Sequence, residues 1–294
     1  MTDSVQGSSP PLSARDSTAA AGANHALETA IARSHAARRK AQMARNAGIL
    51  VSRVLLVIAA LVAWEILSRI EFLDPLFFSR PSLVWSLLTS QPGQFLENTM
   101  HTFEAVAVGF LLSSVAGILA GILLARFQFL ANVLQPVIVF LNSLPRIALV
   151  PLFILWFGIS FQAKVATAFS LVFFIVLINT QVGLANVDRE LLLVTRLLGG
   201  TGRQVYTKVA LPAAVPSIFA GLRLGVTYSI LGVVASEMVA SRNGLGQLIT
   251  SYGQNLESAG VFATLAVLGA LAAVISTLLG LVEQRLSSWK ISSR

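Results

Sequence analysis

The sequence contains no cysteine, which removes disulfides and thiolate metal sites and leaves redox compartment without a marker. Histidine is confined to His25, His35 and His101, scattered without ligand spacing, so no metal site is expected. Charge is scarce: 12% of residues are Asp, Glu, Lys or Arg, against about 25% in soluble domains. There is no pair of carboxylates, no Ser-His-Asp arrangement, and no Gly-rich phosphate loop ending in Lys-Ser or Lys-Thr. The run Gly199-Gly200-Thr201-Gly202-Arg203 lacks the lysine, the preceding strand and the spacing of such a loop. No catalytic residues and no cofactor are therefore expected in this chain, and it does not hydrolyse ATP by the usual phosphate cradle.

What is present is apolar. Hydrophobic residues make up 55% of the 294 positions and mean hydropathy is +0.77, values of an integral membrane protein. Six runs of about 20 residues or more meet the length needed to cross a bilayer, at 49–68, 102–125, 130–157, 163–184, 213–236 and 260–282. Sorting the 21 Lys and Arg by this topology puts 15 on one side, including those of the N-terminal 53 residues, Arg126, Arg189, Arg196, Arg203, Lys208 and Arg285. Only Arg69, Arg80, Lys164 and Arg242 fall on the other. The positive-inside bias then places both termini in the cytoplasm. An all-α membrane protein of six transmembrane helices is the expected fold class.

Residues 1–47 differ in kind. They are rich in Ser, Ala and Gly, contain Pro10-Pro11, and carry Arg33, Arg38, Arg39, Lys40 and Arg45. With little apolar surface to bury, this segment reads as a disordered, basic cytoplasmic tail. Its charge serves topology or contact with anionic membrane lipid. Nucleic acid is not an expected partner, because no aromatic residues interleave with the basic ones.

Two interior stretches carry unusual polarity. In the third run, Pro136, Pro145 and Pro151 each remove a helix hydrogen bond, and Asn142, Ser143 and Arg146 cluster at the central break. An arginine at membrane depth costs about 2.5–3.5 kcal/mol even on a lenient scale, so it faces either a water-filled path or protein groups that cap freed carbonyls. In the fifth run, Gly221 and Gly225 permit close helix packing, while Arg223, Thr227, Tyr228 and Ser236 place polar groups along the helix. Asn142, Ser143, Pro145, Arg146, Thr227, Tyr228 and Ser236 are the candidate lining of a translocation path. Glu65, Glu104 and Glu237 fall near the outer ends of their runs, where interfacial solvation accounts for them. A short helix is expected at 247–252 in one outer segment, and an amphipathic interfacial stretch at 83–88 in the other.

The polar stretch 187–216 is the most informative. Leu191, Leu193, Val194, Leu197 and Leu198 recur at helical spacing, Gly199-Gly200 supplies a stop, and a second helical stretch runs from Gln204 to the punctuating Pro212. Glu190, then Gly199 nine residues on, then Leu211-Pro212 twelve residues further, resembles the signature loop of permease subunits of bacterial ATP-binding-cassette importers. Pro145, Pro151-Leu152, Ile154 to Gly158, Gly221-Leu222-Arg223, Glu237-Met238 and Gly244-Leu245-Gly246 are similar to the nitrate, sulfonate, taurine and bicarbonate branch. The similarity extends over residues 49–289. In one departure, Leu193-Val194-Thr195 stands where that family carries Glu-Ala-Ala, so its acidic contact is either absent or supplied by Glu190.

The resemblance implies a type I importer permease of the bacterial inner membrane. It implies a homodimer served by two ATPase subunits, which bind the ATP and magnesium, and by an extracytoplasmic substrate-binding protein. A small anion would move inward by alternating access. Glu190, Leu193, Val194, Thr195, Gly199, Gly200, Leu211 and Pro212 would form the ATPase-coupling loop. Two other classes stay open on the residues alone. A secondary transporter would show inverted repeats and embedded coupling carboxylates. A membrane-embedded enzyme would need convergent catalytic groups, for which His101 with Glu104 is the one couple.

Overall fold

The computed structural model describes residues 51–70 and 76–286, with positions 42, 45, 48, 49, 72 and 74. Apart from positions 42 and 45, the basic tail 1–47 lies outside the described residues. The chain divides into two units, Met1–Ile66 and Leu67–Arg294. In the first, the described chain is mostly the body of helix α1 (Val51–Arg69), whose last residues belong to the second. Leu55, Leu56 and Val57 on it are exposed, as suits a helix surrounded by hydrocarbon, where intrahelical hydrogen bonds satisfy the backbone and apolar side chains need no protein cover.

The second unit continues with α2 (Pro81–Ser90), α3 (Pro92–Arg126), α4 (Gln128–Ser143), a 3-10 turn (Arg146–Leu149), α5 (Val150–Phe157), α6 (Phe161–Ala185) and α7 (Arg189–Leu197). Then α8 (Gly202–Gln204) passes through a π-helical turn (Val205–Ala210) into α9 (Leu211–Val239), followed by α10 (Leu245–Gln254) and α11 (Ser258–Leu286). The helix expected at 247–252 is α10, longer at both ends. Pro81, Pro92 and Pro151 open α2, α3 and α5, positions where a missing N–H costs nothing and a fixed φ helps.

Among the described residues five helices are long and apolar enough to cross a bilayer: α1, α3, α6, the continuous stretch Gly202–Val239, and α11. Where the sixth crossing is expected, the helix is broken. Its limbs, Gln128–Ser143 and Arg146–Phe157, meet at 83°, whereas the sequence pointed to one interrupted segment over 130–157. The three prolines act differently. Pro136 is carried inside α4, Pro145 forces Leu144 into extended backbone and stops the helix, and Pro151 starts the next one. At 1.5 Å per residue, neither limb alone spans the ~30 Å hydrocarbon core.

Helix α6 packs along both α3 and α9, and the three bury Ala105, Val106, Ala168, Val226, Ile230 and Val233 between them. Small residues make that approach possible. A Cβ on Gly121 would lie 2.7 Å from the Thr180 Cβ, and one on Gly232 would lie 2.7 Å from Leu171 Cδ1, both inside van der Waals contact. Where lipid supplies no hydrophobic force between helices, such backbone proximity is the main source of packing energy. The Ser229 hydroxyl adds a buried bond across the interface, donating to the Val106 carbonyl at 3.1 Å.

Candidate coupling and translocation sites

The stretch between α6 and α9 folds as an elbow whose every turn has a local cause. Asp188 caps α7, its carboxylate accepting from the Glu190 N–H at 2.8 Å. At the other end, Gly199 takes φ +84°, its N–H bonds the Arg196 carbonyl, and the Gly200 N–H bonds the Thr195 carbonyl, each at 3.0 Å. This is a Schellman cap, which needs a left-handed residue at the first glycine. The second glycine is required for a different reason, since a Cβ there would sit 2.7 Å from the Thr195 oxygen. Thr201 and Gln204 then form a capping box that starts the next helix.

Leu211-Pro212 does not end that helix, contrary to the sequence reading. The chain stays helical from Gly202 to Val239. The proline ring at 212 would press on the carbonyl one turn back. The wider π turn immediately before it, in which the Leu211 N–H reaches back to the Tyr206 carbonyl, lets the helix continue through that conflict. The elbow is thus covalently and helically continuous with a membrane crossing. Its outer face is apolar and open: Leu193, Val194, Leu197 and Leu198 are 57%, 51%, 78% and 84% exposed. Glu190 is exposed in the first turn of α7.

At the broken crossing, Arg146 is buried rather than free. Its guanidinium donates to the Ser170 carbonyl, to the Leu141 carbonyl at 3.4 Å and to Asn142 Oδ1 at 2.8 Å, and lies 4.3 Å from the centre of the Phe174 ring. Of the two roles open to it, capping carbonyls is the one the geometry displays; the charge is already committed. Asn142, Pro145 and Arg146 nevertheless line a cavity of about 440 Å³ with Ile175, Tyr228 and Leu231. Asn142 and Ser143 also line a second, of about 390 Å³, with Gln135 and Gln181. The structure brings Tyr228 to Asn142 but not Thr227 or Ser236. Thr227 is exposed on another face, and Ser236 is 1% exposed with a buried hydroxyl that finds no partner among the described residues.

Arg223 forms an ion pair with Glu283 of α11, a partner that the sequence spacing did not reveal. Gly221 and Gly225 sit against α6, where added Cβ atoms would come 2.7 Å from the Asn179 Cβ and 3.0 Å from Val172 Cγ1.

Glu237 overturns the reading of an interfacial, solvated carboxylate. At the end of α9 remote from the elbow it is 1% exposed. Lys164 Nζ lies 2.9 Å from Oε1, the Thr102 hydroxyl donates at 3.0 Å, and the Gly246 N–H donates at 2.9 Å. Lys164 also donates to the Asn243 carbonyl at 2.8 Å, and Thr102 accepts from the Leu245 N–H at 2.8 Å. One buried pair thereby ties α3, α6, α9 and the loop before α10. The available signal was the pair of glycines flanking Leu245: a Cβ on Gly244 would collide with the Glu237 carboxylate, and one on Gly246 would lie 2.7 Å from its Cβ.

His101 and Glu104 line a cavity of about 430 Å³ beside this network, with Lys164, Arg242, Ser160 and Ser241. Both hydroxyls there are engaged with backbone, Ser160 accepting from the Ala163 N–H and Ser241 donating to the Asn243 carbonyl. That arrangement offers no activated nucleophile. Among the described residues no group of His, Asp and Glu could hold a metal ion.

Long helices with exposed apolar faces, a bent helix pair and an elbow built into one of the long helices mark a multi-pass membrane protein. The chain belongs to the family of binding-protein-dependent transport system inner membrane components, which matches residues 113–288; it is a permease of the ATP-binding-cassette importer type. The riboflavin transport system permease protein RibX of Chloroflexus aurantiacus is 32% identical over 236 residues, 79% of this chain and 87% of that one. The taurine transport system permease protein TauC of Escherichia coli is 28% identical over 236 residues, 78% and 86% of the two chains. Among solved structures, an inward-facing form of the MetNI methionine ABC transporter has a TM-score of 0.56 at 19% identity, covering 64% of this chain and 93% of that one. At that identity the likeness is one of fold, that of a type I importer permease.

Proposed function

We propose that the chain works as a homodimer, docks two ATPase subunits on α7, and receives its substrate from an extracytoplasmic binding protein. The observation that carries this reading is the apolar face of α7 joined through the Gly199-Gly200 elbow to the helix Gly202–Val239. An exposed apolar patch beside charged residues is the signature of a docking surface. Movement of α7 would be delivered directly to α9 and, through its packing, to α6, which is how a bistable pair of membrane states is driven from outside the membrane. ATP and magnesium belong to the ATPase, not to this chain. Both termini lie in the cytoplasm on this reading, and the basic tail 1–47 holds the first crossing in that orientation.

The substrate class follows the relatives. A small solute bearing a sulfonate group, taurine or an alkanesulfonate, is the first choice, after TauC. A solute without a sulfonate, such as a neutral heterocycle, is the second, because Arg146, Arg223 and Lys164 all have protein partners and the cavity at Asn142 presents amide and phenol groups. Liposomes holding the chain, its ATPase and ATP, supplied with binding protein and labelled taurine, an alkanesulfonate or riboflavin, test both. ATP-dependent accumulation of one of them supports the reading. Accumulation driven by a proton or sodium gradient without the ATPase refutes it in favour of a secondary transporter.

A further inference from the structure

One cavity of the second unit lies apart from the two at Asn142. About 660 Å³ in volume, it lies between the last turns of α3 and the start of the helix that leaves the elbow. On α3, Leu119, Ile122, Leu123 and Arg126 line it. Their spacing of three, four and seven residues makes one helix stripe, apolar along the membrane and ending in a cation. Facing them are Arg203 and Tyr206, and the Tyr206 hydroxyl is turned onto the Ile122 carbonyl at 3.3 Å, closing the floor of the groove. Arg126 and Arg203 are both exposed, and among the described residues neither has a carboxylate partner.

A mainly apolar groove on the side of a membrane-crossing helix, ending in two guanidiniums without a carboxylate partner among the described residues, is complementary to one kind of molecule. Its wall of Leu119, Ile122 and Leu123 suits a hydrocarbon tail. Its mouth suits a phosphate, which a planar, multi-donor cation binds well, and basic side chains at helix ends reach the headgroup level by design of their long stems. We infer that this groove is a binding site for an anionic phospholipid, seated between α3 and the elbow. A lipid there would brace the start of the 202–239 helix against α3, at the point where α7 joins it.

The purified full-length chain in detergent micelles, titrated with phosphatidylglycerol or phosphatidylcholine and weighed intact by native mass spectrometry, tests the site. One preferred phosphatidylglycerol per chain is expected. Each basic group near an anionic headgroup is worth a factor of about five, so Arg126→Gln with Arg203→Gln should weaken that lipid about 25-fold, while Lys208→Gln, outside the groove, should not. Ala120→Phe, which fills the slot and keeps both arginines, should weaken it too. Equal binding of the two lipids, or unchanged phosphatidylglycerol binding by the double variant with its melting temperature preserved, overturns the proposal. Displacement of the lipid by millimolar inorganic phosphate, with Ala120→Phe binding normally, would also overturn it by showing a headgroup site without an acyl slot.

Discussion

Lys164 on α6 and Glu237 on α9 meet 2.9 Å apart with side chains 7% and 0% exposed, a buried ion pair at the end of the bundle opposite the elbow. Taking two charges out of solvent is repaid only when the remaining hydrogen-bonding capacity is used. Here it is, by Thr102, by the Gly246 N–H and by the Asn243 carbonyl.

Breaking this pair from one side is therefore expected to cost far more than removing it. Lys164→Met strands a buried carboxylate and should destabilise by about 3–5 kcal/mol. Adding Glu237→Gln, which keeps the Thr102 and Gly246 partners in reach, should recover a large part of that loss. Denaturant unfolding of the two variants in micelles measures it. A double variant no more stable than Lys164→Met would show that the pair is not a coupled unit.

The first turn of α10 depends on the same carboxylate. Gly246→Ala puts a Cβ 2.5 Å from the Val234 carbonyl and 2.7 Å from the Glu237 Cβ, neither at the end of a flexible chain. The start of α10 must shift, at an expected cost of about 1–3 kcal/mol. Gly253→Ala, where a Cβ meets nothing, should be near neutral by the same unfolding measurement.

Much of this was legible in the sequence. Crossing helices are long, locally satisfied elements, so runs of apolar residues located five of them, and the double glycine predicted the elbow because a Schellman cap is a short-range device. What was hidden is long-range. Nothing near Lys164 names Glu237, 73 residues away, and nothing near Arg223 names Glu283. Pro145 and Pro212 look alike in sequence, yet one breaks its helix and the other is absorbed by a π turn, a difference decided by the backbone that precedes each. Tyr228 reaches the cavity at Asn142 and Ser236 does not, because one faces the broken crossing and the other faces the packed interior.

That difference in facing is open to chemistry. With no native cysteine, single introduced cysteines report accessibility without background. Asn142→Cys, at two cavities, should react with a small charged thiol reagent in the assembled transporter. Ser236→Cys, buried beside Glu237, should stay protected. The reverse pattern would place the path along the far part of α9.

The central claim, that the elbow transmits ATP hydrolysis to the membrane helices, is tested most directly at Gly199. Its φ of +84° is closed to proline, which is fixed near −65°, and its N–H caps α7. Capture of the cognate ATPase by membrane-inserted Gly199→Pro, with ATP-dependent uptake scored in parallel, is the measurement. The account predicts a chain that inserts and purifies at normal yield but captures about tenfold less ATPase or worse, as expected for losing 1.4 kcal/mol or more of docking energy, and transports at background. Normal capture and normal uptake by that variant would contradict it.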